Sequence, residues 1–238
     1  MAKLVSLLVG EIRRLWRYKI IFFGTLVTVV WLVIMALVSR EEALVLVPQL
    51  LVLDSGLMAI ILLGSSYFLE KQEGTIKALL VTPISTRTIL FTKILGTMIG
   101  GFISVISMTL LLGLLHNIWL PIVSLIVIMT LSTFAHVSIG FVMIFLSKDF
   151  MDLLVKYSVI AIMLMVPTLL QALDILTSEI LFVGFISPTY AASWLFQSLW
   201  SNQPLTETII AIGFLILLPL GLLPSYILPR FKLEALSV

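Results

Sequence analysis

With 238 residues, 61% hydrophobic and 11% charged, the chain departs from a soluble domain, where about 45–50% of positions are apolar and about 25% charged. A water-soluble globule is excluded: at roughly 20 apolar residues per helical span, the length fills with about six membrane crossings and leaves no stretch for an ordinary soluble domain. The net charge of +2 is too small for a nucleic-acid binder, and the absence of cysteine excludes disulfides, thiolate catalysis and cysteine zinc sites.

In residues 1–19, Leu4, Leu8, Ile12, Leu15 and Trp16 share one helical face, and Lys3, Ser6, Arg13, Arg14 and Arg17 another. The pattern predicts an interfacial helix on the inner leaflet, its cations near anionic headgroups; the plainer alternative is a basic flank that only sets topology. It is not a secretory signal. The apolar run Ile20–Val38 exceeds a signal h-region, and Ser39-Arg40-Glu41-Glu42 follows it without a small-x-small cleavage pattern.

Apolar windows predict six spans, near Ile20–Val38, Leu44–Phe68, Ile89–Leu114, Ile118–Leu146, Leu153–Leu173 and Thr208–Leu228. With the amino terminus inside, every Lys and Arg except Arg40 falls on the cytoplasmic side, whereas Glu41, Glu42, Asp174, Glu179 and Glu207 face out. The positive-inside rule therefore puts both termini in the cytoplasm. Two connections are long. The inner one, Glu70 to Thr88, has about twenty residues and the outer one, Asp174 to Glu207, about thirty-four, against roughly 2–8 for usual helix–helix connections.

The inner connection starts polar, turns at Gly74 and offers a short helix, with Thr75 as a plausible cap and Pro83 as its stop. Ile76, Leu79 and Leu80 lie on one side and Lys77 on another, and Ser85 or Thr86 can cap the third span. This is the shape of a docking element for a second protein, or of an ordinary inner-leaflet loop.

The run Glu70-Lys71-Gln72-Glu73-Gly74-Thr75-Ile76-Lys77-Ala78-Leu79-Leu80-Val81-Thr82-Pro83-Ile84-Ser85 resembles the signature of the type-2 ATP-binding-cassette (ABC) permeases. That signature is an acidic-basic cluster, Gly-Thr-(Ile/Leu), Leu-Leu, a small residue and (Thr/Ser)-Pro. Val81 stands where the small residue would be. The order of elements agrees across nearly the whole chain. Val47-Pro48-Gln49-Leu50, Leu53-Asp54 and Ser187-Pro188-Thr189 make it most similar to permeases described as fluoroquinolone exporters.

The resemblance implies an all-α integral membrane fold in a cell inner (plasma) membrane: a single permease domain over residues 1–238. It would comprise an interfacial helix at 1–19, a six-span bundle over 20–228 and a cytoplasmic tail at 229–238. It implies an ATP-driven export permease that works as a homodimer or with a related chain, carrying a drug or other amphiphile. Two separate cassette ATPase subunits would bind ATP and Mg; this chain has no phosphate loop and is expected to be a non-catalytic subunit without cofactor of its own. Residues 74–83 would be the coupling helix, with Glu70, Glu73, Gly74, Thr75, Ile76, Lys77, Leu79, Leu80, Thr82 and Pro83 meeting the ATPase.

In the outer connection, Pro188, Tyr190, Trp194, Phe196 and Trp200 follow one another at partly helical spacing. The family resemblance implies an external gate there, with Pro188, Tyr190 and Trp194 as its residues; an aromatic interfacial belt is the other reading. Asp54 lies deep in an apolar run, where a carboxylate costs about 2.5–3.5 kcal/mol on insertion scales. It serves a substrate pathway, as a cation contact or proton carrier, or caps a break between Pro48 and Gly56. His136, with Ser132 and Gly140 one turn away on either side, fits an interhelical hydrogen bond or the same pathway. Pro167, Pro219 and Pro224 should bend the last two spans. A proton-coupled secondary transporter or channel using Asp54 and His136 is the alternative function, although the internal repeats frequent in such proteins are not visible. Two histidines without cysteine suggest no metal site.

Overall fold

A computed structural model describes residues 2–173, 175 and 181–236, and all regular structure among them is helical. Helix α1 (Ala2–Arg17) precedes α2 (Ile20–Leu37) and α3 (Arg40–Val52), and a π-helical turn (Leu53–Leu57) joins α3 to α4 (Met58–Gln72). Next come the short α5 (Thr75–Leu80), α6 (Thr86–His116), α7 (Ile122–Phe145) and α8 (Phe150–Ala172). Then follow α9 (Leu181–Gly184), α10 (Pro188–Gln197) and α11 (Leu205–Leu222), which passes through a second π-helical turn (Leu223–Ile227) into α12 (Leu228–Leu236). Asp174 and Glu179 of the outer connection lie outside the described residues.

Among the described residues six helical runs are long and apolar enough to cross a membrane: Ile20–Leu37, Arg40–Gln72, Thr86–His116, Ile122–Phe145, Phe150–Ala172 and Leu205–Glu234. The chain is a multi-pass membrane protein. The second run begins earlier than its apolar window because Ser39 and Glu42 form a reciprocal capping box: the Glu42 amide donates to Ser39 Oγ (3.3 Å) and the Ser39 amide to Glu42 Oε2 (2.8 Å). The fourth run starts later than Ile118. Asn117, at φ 54°, ends α6, and Pro121 sets the entry to α7.

Helix α7 is the hub, packed against α4, α6, α10 and α11. By contrast, α2, α8 and the α11–α12 run leave most of their surface uncovered, including Phe22, Phe23, Val159, Met163 and Leu217. In an apolar solvent such faces carry no penalty. The second span is interrupted where Pro48, unable to donate to the helical ladder, precedes the π turn that contains Asp54, Ser55 and Gly56. Gly56 is required by close approach: a Cβ there would sit 2.7 Å from the His136 ring. The second π turn coincides with Pro224.

Residues 229–236 continue the last span as helix, and Phe231 is fully buried. Its ring meets Tyr67 at 6.1 Å, Phe141 at 6.3 Å and Phe145 at 6.5 Å between centroids, in edge-on arrangements. Helix α12 also touches α5, which rests on the end of α4. Helices α1, α5 and α12 thus gather at one end of the bundle.

Candidate functional site

The basal end is built around four ionisable side chains from three helices. Glu11 and Arg14 come from α1, Glu70 from the last turn of α4 and Lys93 from α6. Arg14 Nη2 lies 2.6 Å from Glu11 Oε2 and 2.9 Å from Glu70 Oε1, and Lys93 Nζ lies 2.7 Å from Glu70 Oε1 and 3.6 Å from Glu11 Oε1. Ser66 Oγ adds a 2.6 Å hydrogen bond to Glu11 Oε1. Two carboxylates face two cations, so the cluster is neutral as a whole. Glu11, Glu70 and Lys93 are buried and Arg14 is partly exposed.

Burial alone would raise the Glu11 carboxyl, but Lys93, the Ser66 hydroxyl and Arg14 outweigh it and hold the group down at about 2. It is therefore ionised at neutral pH and fixes the rotation of α1. The face turned to α6 carries Glu11, Arg14 and Leu15, while Trp16 is 73% exposed together with Val5 and Val9. Of the apolar residues Leu4, Leu8, Ile12, Leu15 and Trp16, Leu15 is buried, Leu4, Leu8 and Ile12 are half-buried and Trp16 is exposed. An ion-paired carboxylate left without its partners would cost more than an exposed indole, so Glu11 turns inward. A lone acid among the cations of residues 1–19 was the available signal.

Helix α5 stands beside this cluster. Gly74 takes the left-handed conformation at φ 71° and acts as the entry residue, so Thr75 is the first residue of the helix and not its cap. Glycine takes this conformation without the steric cost of a Cβ. Ile76 is fully buried, and Leu79 is half-buried near Glu11, Arg14 and Lys93. Leu80 is half-buried as well. Lys77, Ala78, Val81, Thr82 and Pro83 are exposed, Val81 by 85%. At the end of α4, Glu73 accepts a hydrogen bond from Tyr18 at the α1–α2 turn and a 3.5 Å one from Thr75 Oγ1. Ser85 caps α6 by accepting from the Thr88 amide at 3.2 Å.

Of the ten residues assigned to this segment from sequence, Glu70 and Ile76 point inward and Glu73 is tied to Tyr18. Lys77, Thr82 and Pro83 face outward, joined by Ala78 and Val81. Glu11 and Lys93 belong to the same assembly and are missed by segment-wise reading, because they come from α1 and α6.

The interior holds a second polar system. Asp54, 7% exposed, accepts from Trp31 Nε1 (2.9 Å), Thr28 Oγ1 (3.2 Å) and the Ser104 hydroxyl. The carboxylate thereby ties α2 and α6 to the π turn. Next to it, Ser55 Oγ meets Ser132 Oγ at 3.2 Å, and Thr133 Oγ1 donates to the Ser55 carbonyl at 2.5 Å. His136 Nδ1 lies 2.8 Å from the Ser132 carbonyl, and Nε2 lies 3.1 Å from Thr189 Oγ1 on α10. Asp54 and His136 are therefore placed on neighbouring but separate hydrogen-bonded groups, each already supplied with protein partners.

Toward the other end, α10 is buried from Pro188 to Phe196 between α3, α7, α8 and α11. Ser187 caps it, accepting from the Tyr190 amide at 3.4 Å and donating to the Leu164 carbonyl at 2.6 Å. Pro188, Tyr190 and Trp194 are all buried. Tyr190, Trp194 and Phe185 pack ring on ring, with centroids 5.0 to 6.2 Å apart. Pro188, Tyr190 and Trp194 thus form part of a plug within the helical bundle and not a lipid-facing belt. The Tyr190 hydroxyl and Trp194 Nε1 lie buried with no hydrogen-bond partner among the described residues.

Among the described residues no group of three or more His, Asp or Glu side chains is arranged to hold a metal ion. Compared with known proteins, the chain matches no family model, and no curated protein matches it.

Proposed function

We propose that this chain is the membrane-spanning subunit of an ATP-driven exporter of the type-2 ABC kind, working as a dimer and driven by separate cassette ATPase subunits. The observation that carries this reading is the mounting of α5. Its outer strip of Lys77, Ala78, Val81, Thr82 and Pro83 is exposed, while its base is held by buried Ile76, the Tyr18–Glu73 hydrogen bond and the four-charge cluster. A push on the strip would pass into α4, α6 and α1 together, because buried ion pairs resist separation. Transmission of this sort needs a two-state bundle biased by the ATPase. The sparsely covered faces of α2, α8 and α11 offer surface for a second permease chain as well as for lipid.

At the opposite end, the α10 plug supports a closed external gate. Its Tyr190 hydroxyl and Trp194 Nε1, without partners among the described residues, favour an open state in which those donors are satisfied. The buried stretch of Asp54 and His136 belongs to the walls between these ends. Both side chains are occupied by protein partners, which weighs against the proton-coupled reading.

The test uses the absence of cysteine. Val81→Cys, in the chain co-purified with its ATPase, should cross-link to the ATPase in high yield, and Val81→Asp should abolish substrate-stimulated ATP turnover with span topology unchanged. Labelling of the introduced thiol only by lipid-soluble reagents, or unchanged stimulated turnover in Val81→Asp, would overturn the proposal.

A further inference from the structure

Between α1 and α2 the chain turns through Tyr18 and Lys19, and Lys19 adopts the left-handed conformation at φ 58° without a side-chain cap. For a residue with a Cβ this conformation is costly. The turn frames a cavity of about 540 Å³ lined by Trp16, Arg17, Lys19, Ile21, Phe22 and Thr25. A second cavity of about 400 Å³, lined by Val9, Ile12, Arg13 and Trp16, lies on the other flank of the Trp16 indole.

The lining divides by chemistry. Arg17 and Lys19 are exposed, and neither forms an ion pair among the described residues. Glu11 is paired inside the four-charge cluster, and Glu73, which accepts from the neutral Tyr18 hydroxyl, forms no ion pair with Arg17 or Lys19 among the described residues. The remaining walls are apolar: Trp16 and Phe22 are exposed by 73% and 61%. The Thr25 hydroxyl is satisfied by the Ile21 carbonyl at 2.9 Å.

Position matters as much as composition. Ile20 opens a span, so the cavity sits where headgroups give way to acyl chains. Two uncompensated cations at the polar rim and aromatic and aliphatic walls below match a ligand with an anionic head and a hydrocarbon tail. We propose that the α1–α2 elbow is a discrete binding site for one anionic phospholipid, its phosphate held by Arg17 and Lys19 and an acyl chain laid along Ile21 and Phe22. Trp16 stands at the interface beside the headgroup. This is a stoichiometric site, distinct from diffuse attraction of a basic helix to a charged leaflet, and it does not depend on the exporter reading.

The test is lipid retention by the full chain in mild detergent, read by native mass spectrometry during titration with phosphatidylglycerol or phosphatidylcholine. One phosphatidylglycerol should be retained per chain, in preference to phosphatidylcholine. The double variant Arg17→Gln/Lys19→Gly should weaken it about thirtyfold, about fivefold per cation removed; glycine at 19 keeps the left-handed backbone. Arg87→Gln/Lys232→Gln, which removes two exposed cations elsewhere, should leave retention unchanged. If the first double variant does not fold, Arg17→Gln alone should show the fivefold loss. Equal retention of phosphatidylcholine, equal loss in both double variants, or displacement of the lipid by millimolar inorganic phosphate would overturn the assignment, the last by showing a site for a free anion.

Discussion

Replacing Lys93 by methionine keeps the length of a buried side chain and removes its charge. The four-charge cluster then has Glu11 and Glu70 against Arg14 alone, and the ammonium 2.7 Å from Glu70 and 3.6 Å from Glu11 is gone. Removing one partner from a buried ionic cluster costs about 3–5 kcal/mol, because the remaining charge has neither water nor a counterion. At about 2–4 °C per kcal/mol for a chain of this size, melting should fall on the order of 10 °C. Adding Glu70→Gln returns the cluster to one carboxylate and one guanidinium, and should recover most of the loss. The assay is thermal unfolding of the single and double variants in one detergent. A fall of less than about 2 °C in Lys93→Met, or a double variant no better than the single, would refute the view that charge balance holds α1 to α4 and α6.

The pH dependence has a definite sign. Glu11 is held at about 2, below its ordinary 4.5, so its contribution is present above about pH 4.5 and is lost as pH falls toward 2; pepsin should release α1 increasingly as pH falls through that window, and at higher pH in Lys93→Met, since Lys93 is the foremost group lowering Glu11. Gly56→Ala puts a methyl group 2.7 Å from the His136 ring and should cost about 1–3 kcal/mol by overpacking, read as a lower melting temperature. Gly74→Ala puts a Cβ on the φ 71° turn at a cost of about 1–2 kcal/mol, and should lower the melting temperature while leaving single-cysteine labelling at position 81 unchanged. Asp54→Asn retains an acceptor and should be mild, whereas Asp54→Leu strips the Trp31, Thr28 and Ser104 donors of their shared partner and should destabilise by more than about 2 kcal/mol in the same melting assay.

Local patterns made much of this molecule legible before any fold was known. The six spans follow from apolar run length, since backbone groups in hydrocarbon must be satisfied within the helix. The start of α5 at Gly74 follows from a residue whose backbone preference is intrinsic, whereas the helix already ends at Leu80, before the stop expected at Pro83. The Ser85 cap is equally local. The Thr75 cap failed for the same kind of local reason: Gly74 itself takes the entry position in the left-handed region, a choice that depends on how α4 ends.

What sequence alone determined here is the part fixed by the solvent and by near neighbours in the chain: a multi-span helical membrane protein with a short punctuated helix between its second and third spans. The tertiary structure decided which polar side chains meet. Glu11, Glu70 and Lys93 are separated along the chain by whole helices, as are Asp54, Trp31 and Ser104, and His136 and Thr189. In an apolar environment each such group must find a partner, and the identity of that partner depends on helix rotation and packing, which no spacing within one helix specifies.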